Sequence, residues 1–153
     1  MIGKYCDGLC PKDSGTLVGD DVDWGVFTKE RVDASLDSMK DFDLAGSIAE
    51  AMKIVRQVDN FINDTEPFKL AKNPESSERV NDILYRCAEA IRIACCLLEP
   101  VMPTRVGSLR SAWNLGDASG DVRTECEWGR LRDGTGIEKV ALFPRVEFTE
   151  TTE

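Results

Sequence analysis

The sequence contains no histidine, the side chain that most often serves as a general base near neutral pH. Ser-His and Cys-His nucleophilic centres are therefore excluded. The glycines lie in Asp-rich loops without a G-x-G-x-x-G or Walker spacing, so phosphate-transfer chemistry of those types has no support. The acidic pair Asp20 and Asp21 lacks the spacing of a calcium loop. We expect no catalytic residue, no metal site and no bound cofactor in this chain.

Long apolar runs are missing as well. The first residues do not form the apolar core of a signal peptide, and no later segment approaches the roughly 18 apolar residues of a membrane span. No two cysteines have a Cys-x-x-Cys spacing, which disfavours zinc and, without an export signal, disulfides. We expect a cytoplasmic protein that does not bind membranes. Its six cysteines should be reduced and mostly buried: Cys6, Cys10, Cys87, Cys95, Cys96 and Cys126.

Basic residues are scarce relative to acidic ones. The chain has 19 lysines and arginines against 28 aspartates and glutamates, a net charge of -9. This is the wrong sign for non-specific binding of phosphates, which depends on cationic side chains displacing counterions. DNA is not an expected partner, and any contact with RNA must be local and depend on shape.

The composition that is present, 153 residues with 42% hydrophobic and 31% charged, fits one domain with one core. Apolar residues recur at spacings of three and four in the segments 29–39, 42–63, 77–99 and 104–114, which predicts helices there. Asp41 or Asp43 can cap the second helix, and Gly116 can end the fourth. The pattern predicts an all-α bundle of four or five helices.

The predicted domain organisation has four parts. Residues 1–7 are expected to be the end of a truncated helix, 8–28 a Gly- and Asp-rich loop, 29–116 the helical bundle and 117–153 a C-terminal extension. The turn signal Gly134-Thr135-Gly136 separates 128–131 from 140–143. One or two short strands are therefore predicted in these segments.

Four segments, in order, resemble the anticodon-binding domain of bacterial methionyl-tRNA synthetases. The most informative is the run 60–72, NFINDTEPFKLAK, which resembles the end of a bundle helix followed by an acidic turn, Pro, an aromatic residue and Leu-Ala-Lys. The others are MIGKYCDG at 1–8, LEPVMP at 98–103, and EWG at 127–129 with LFPRVE at 142–147. The resemblance covers nearly the whole chain and implies a class I aminoacyl-tRNA synthetase.

The resemblance implies a site that reads the anticodon of methionine and initiator tRNA. Its expected base-contacting residues are Phe68, Pro67, Asn60 and Asn63, and its expected tRNA backbone contacts are Lys69, Lys72 and Arg56. The family usually has Trp where this chain has Phe68, and a phenyl ring offers less area for stacking. Two alternatives stay open: Phe68 can instead pack in the core, and the polar side of 42–63 can be an ordinary solvated face.

Two features of the family are missing from this sequence: an Asn and Arg pair expected before Met1, and the class I catalytic domain that would bind ATP. We interpret the chain as part of an ATP-dependent methionine-tRNA ligase, starting at an internal methionine of a longer gene. A free-standing acidic module that binds protein and a fragment without function are the alternatives.

Overall fold

The computed structural model describes residues 1–18, 22–117 and 120–144. The described part is helical, and it contains no strand. No described helix is long and apolar enough to cross a membrane. The elements are α1 (Ile2–Tyr5), α2 (Trp24–Lys40), α3 (Leu44–Thr65), α4 (Pro67–Leu70), a 3₁₀ turn (Pro74–Ser76), α5 (Ser77–Leu98), α6 (Pro103–Ala112) and α7 (Val122–Glu125). The predicted all-α bundle is confirmed.

Helix α2 begins five residues earlier than the expected residue 29. The Asp23 carboxylate accepts a hydrogen bond from the Val26 amide at 3.1 Å, which satisfies one of the unpaired amides of the first turn. Trp24 and Thr28 are both buried. The first turn of α2 was not predicted, because Gly25 interrupts the apolar pattern. In the structure, the loop predicted for 8–28 therefore ends at residue 23.

Helix α3 begins after Asp43, one of the two predicted caps, whose carboxylate accepts from the Gly46 amide at 2.9 Å. Its most buried apolar side chains are Ala51, Ile54, Val58 and Phe61, a face rotated from the predicted stripe that includes the exposed Leu44. The rotation has a simple cause: α3 contacts both α2 and α5. Its core face therefore points between two neighbours, and most of the predicted stripe is only partly buried.

Helix α5 is the central element and contacts α2, α3, α4, α6 and α7. Its apolar stripe is buried as predicted, and so are four charged side chains on the remaining side: Asp82, Arg86, Glu89 and Arg92. Loops cover this side. Asp82 accepts from the amide and the hydroxyl of Ser14, both at 2.7 Å, and Arg86 donates to the Thr16 carbonyl at 2.7 Å. The loop at 8–18 is therefore held by defined hydrogen bonds without regular structure.

Glu89 explains why 128–131 is not a strand, which corrects the prediction. Its carboxylate accepts hydrogen bonds from the amides of residues 129, 130 and 131 at 2.8, 2.9 and 3.2 Å. It also pairs with Arg92 at 2.7 Å, and Arg92 donates onward to the carbonyls of Glu125 and Glu127. The amides that a strand would offer to a neighbour are already bound by a buried carboxylate.

The strand predicted at 140–143 is also wrong, because none of these residues pairs with another strand in the described part of the chain. Chain pairing in the described part is limited to an isolated bridge between Leu9 and Gly136. Helix α6 ends at Ala112 with Trp113 as its cap, so Gly116 is not the capping residue. Residues 145–147 of the family-like LFPRVE segment and the pair at 20–21 lie outside the described residues.

All six cysteines are free, and five are buried, as the sequence predicts. The chain turns between Cys6 and Cys10, with positive φ at Asp7 and Gly8, 52° and 76°.

Candidate nucleic-acid interface

The candidate interface is built on the corner between α3 and α4. Glu66 caps the C-terminal end of α3; its backbone is left-handed with φ 43° and ψ 55°, and its amide donates to the Ile62 carbonyl at 3.0 Å. The next residue, Pro67, is the first of α4, a position where its missing N–H costs nothing. The Glu66 carbonyl then accepts from the Lys69 amide at 2.8 Å. The chain therefore changes direction within a single residue.

The corner separates side chains that face the core from one that faces outward. Pro67 is among the most completely buried side chains, and Leu70 packs partly buried against the main core. Phe68, between them, is 45% exposed and belongs to no core cluster of the described residues. The burial of Pro67 disfavours the expected contact of its ring with a base. The exposure of Phe68 disfavours the core-packing alternative.

The corner rests on an aromatic cluster that the sequence pattern did not reveal. Phe61, one turn before the end of α3, is buried and meets Trp24 edge-on with centroids 5.4 Å apart. Trp24 in turn stacks on Trp128 at 6.3 Å, so α2 and the C-terminal loop both support this end of α3. The Thr65 hydroxyl donates to the Phe61 carbonyl at 2.5 Å. The aromatic contacts of Trp24 with Phe61 and Trp128 join residues far apart in sequence, which no local sequence pattern could predict.

Three of the predicted residues share one side of α3. Arg56, Asn60 and Asn63 are all exposed, and their spacing of four and three residues places them within about 60° of one another around the axis. They form a polar stripe that runs toward the corner. The three predicted polar residues of α3 therefore share one exposed stripe, whose last member, Asn63, lies close in sequence to the corner.

The charges around the corner nearly cancel. Lys69 pairs with Glu66 at 2.6 Å, so its ammonium is already partnered. The exposed basic residues Arg56 and Lys72 are matched by exposed acidic ones, Asp59 and Asp64. The corner is therefore not a basic patch, and the expected tRNA backbone contacts would act one at a time.

No family model matches the chain, but individual proteins do. The chain is 35% identical to the methionine-tRNA ligase of Streptomyces coelicolor over 155 residues, which is 96% of this chain and 29% of that ligase. It is 34% identical to the methionine-tRNA ligase of Deinococcus radiodurans over 149 residues, 96% of this chain and 21% of that ligase. The chain thus spans less than a third of the relatives that it matches.

The fold agrees with these matches. Methionyl-tRNA synthetase of Mycobacterium tuberculosis, solved in complex with methionyl-adenylate, superimposes with a TM-score of 0.68 at 26% identity. The match covers 95% of this chain and 28% of that synthetase. Sequence and fold thus both match this chain to one segment of methionyl-tRNA synthetases.

Proposed function

We propose that this chain is the anticodon-binding helical domain of a methionine-tRNA ligase and that it binds the anticodon stem-loop of methionine and initiator tRNA. The family relationship supports the role in tRNA charging. The observation that carries the choice of site is Phe68, an exposed aromatic ring on a corner whose backbone and supporting side chains are fixed. Unpaired RNA bases are commonly bound by stacking on such rings.

Stacking is the main expected source of affinity. A base stacked on an aromatic side chain contributes typically ~1 to 3 kcal/mol, and the phenyl ring of Phe68 belongs toward the lower end because its area is smaller than that of an indole. A ring held by a rigid corner loses little freedom on binding, which favours the complex. Asn60 and Asn63 have amide groups that can both donate to and accept from base edges.

Phosphate attraction is expected to contribute little. Lys69 would have to leave Glu66 to reach a phosphate, and the exposed Arg56 and Lys72 are equalled in number by the exposed Asp59 and Asp64. Each phosphate contact normally adds about one unit to the salt dependence of binding. The affinity of this chain for RNA should therefore fall only slightly as salt is raised.

Catalysis is assigned to another part of the ligase. Methionine activation needs ATP, and the sequence has neither a phosphate-binding glycine motif nor a histidine. We propose that a class I catalytic domain binds ATP and methionine while this domain holds the anticodon, in the cytoplasm. A free-standing protein-interaction module is not favoured, because the ligase matches cover 96% of the chain.

The test is a titration of the full chain with a fluorescent anticodon stem-loop of methionine tRNA, followed by anisotropy. Phe68→Leu should weaken binding about tenfold, which corresponds to ~1.4 kcal/mol of lost stacking. Phe68→Trp should bind at least as tightly as the parent, since the ring area increases.

A matched control is available at the other end of α3. Phe42 is 92% exposed and lies about 30 Å from the corner along a helix of 22 residues. Phe42→Leu should leave binding unchanged. Equal effects at both positions would mean non-specific association with exposed rings, and an unchanged Phe68→Leu variant would remove Phe68 from the site.

A further inference from the structure

Four arginines from distant parts of the chain line one cavity beside α6. The cavity has a volume of about 440 Å³. Its basic lining residues are Arg92 of α5, Arg110 of α6, and Arg130 and Arg132 of the loop that follows α7. The acidic residues Asp117 and Glu125 also line it. Four positive and two negative side chains leave the lining with a charge of +2, in a chain whose overall charge is -9.

The guanidinium of Arg92 is fully occupied within the protein. It binds the Glu89 carboxylate through Nε at 2.7 Å and through Nη2 at 2.8 Å. Its two terminal nitrogens also donate to the carbonyls of Glu125 and Glu127. Arg92 is therefore part of the wall of the cavity and has no donor left for a ligand.

Arg110 is buried but incompletely paired. Its side chain is only 10% exposed, and its Nε donates to the Gly116 carbonyl at 3.0 Å. Its contacts with carboxylates are long: Nη2 lies 3.5 Å from Glu125, and Nη1 lies 4.0 Å from Glu99. Hydrogen bonds between charged groups usually measure about 2.7–2.9 Å. The terminal nitrogens of Arg110 can therefore accept a closer anionic partner.

Arg130 and Arg132 present two further guanidiniums, both exposed. The nearest carboxylate oxygens to Arg130 are those of Glu125 at 3.8 Å and Glu127 at 3.9 Å, which is beyond hydrogen-bond distance. Arg132 makes no ion pair in the part of the chain that the structure describes. The backbone that carries both arginines is fixed, because Glu89 accepts hydrogen bonds from the amides of residues 130 and 131.

The number and type of these donors indicate the chemistry of a ligand. A guanidinium has planar N–H donors that match the oxygens of carboxylates and phosphates. One carboxylate carries a single charge and two oxygens, which suffice for one guanidinium. Three incompletely paired guanidiniums around a cavity with a charge of +2 suit an anion with more oxygens and more than one charge. We propose that this cavity binds a small, free phosphate-bearing anion through Arg110, Arg130 and Arg132.

The experiment is a calorimetric titration of the full chain with inorganic pyrophosphate, without divalent metal and at an ionic strength held constant with sodium chloride. The parent should show saturable binding at one site. Arg132→Gln should raise the Kd about tenfold, because charge-assisted hydrogen bonds are lost. Arg132→Lys should recover only part of the loss, since lysine keeps the charge but not the fork. Asp117→Asn should tighten binding about twofold to fivefold, because it removes a like charge.

Arg105 provides the matched control. It is an exposed arginine of α6 that does not line the cavity, so Arg105→Gln removes the same charge and should leave the Kd unchanged. Arg132 and Arg105 are both exposed, and circular dichroism checks that each variant is folded. A parent chain without saturable binding, or an equal loss in Arg105→Gln and Arg132→Gln, would overturn the proposal.

The phosphates of an RNA backbone share this chemistry, and the anticodon stem-loop distinguishes the two sources. The stem-loop should not displace pyrophosphate from the parent, and Arg132→Gln should bind the stem-loop as the parent does. Displacement by the stem-loop would overturn the assignment to a free anion. Phe68→Leu should bind pyrophosphate with an unchanged Kd, so failure of the cavity and failure of the RNA site at Phe68 can be told apart.

Discussion

Replacing Glu89 with Gln should destabilise the protein more than any surface substitution, because one buried carboxylate serves two partners. It accepts three backbone amides of residues 129–131 and two hydrogen bonds from Arg92 at 2.7 and 2.8 Å. Its side chain is completely buried. A glutamine has a single acceptor oxygen, so several of these donors lose their partner and the Arg92 charge stays buried without a counterion.

The expected loss is about 3–5 kcal/mol, the usual cost of leaving one member of a buried ion pair uncompensated. Since domains of this size are stable by only about 5–15 kcal/mol, Glu89→Gln should lose a large part of the total. Urea denaturation followed by circular dichroism measures the change as a lower midpoint at unchanged slope. Hydrogen exchange should show the largest loss of protection at the amides of 129–131.

The double variant Glu89→Met with Arg92→Met gives a sharper test. Buried ion pairs can often be replaced by apolar residues with no loss of stability. Here recovery should fail, because the amides of 129–131 and the carbonyls of Glu125 and Glu127 would remain buried without partners. Double-variant stability equal to that of the parent would show that the pair itself, and not its contacts with the loop, is what matters.

Glu50 provides the control for loss of a charge on a helix. It pairs with Arg31 at 3.1 Å and Lys53 at 2.6 Å but remains partly exposed to solvent. Glu50→Gln should cost less than about 1 kcal/mol. The explanation is refuted if Glu89→Gln falls within about 1 kcal/mol of the parent, or if Glu50→Gln costs as much.

Three further predictions concern catalysis and the cap of α3. Purified chain should show no methionine-dependent exchange of pyrophosphate into ATP, and activity beyond that of a mock purification would contradict the assignment of catalysis to another domain. Asp43→Ala should lower the free energy of unfolding in urea by about 1 kcal/mol, because the cap of α3 is lost. Asp41→Ala should cost less, because Asp43 and not Asp41 caps α3. Equal losses would mean that general charge, and not capping, is responsible. Gly46→Ala should also destabilise, since its methyl group would collide with the Asp43 carboxylate, and a gain in stability would contradict the capping geometry.

The helices whose apolar residues recur at regular helical spacing could be predicted from the sequence alone. The segments 42–63 and 77–99 agree closely with α3 and α5, because amphipathic spacing and a capping aspartate act within a few residues of one another. The expected free and mostly buried cysteines also agree with the structure. In the same way, the aromatic after Pro67 was identifiable as a candidate, since its signal is a short contiguous motif.

What the tertiary structure decided is everything that depends on partners distant in sequence. The rotation of the α3 core face came from α2 and α5 lying on either side, and the loss of a strand at 128–131 came from the buried carboxylate of Glu89, which binds its amides. Likewise, the exposure of Phe68 above the buried Pro67 follows from packing between elements. A sequence determines which faces are apolar and where helices begin, but which of two adjacent residues is covered depends on the neighbour that the fold brings to it.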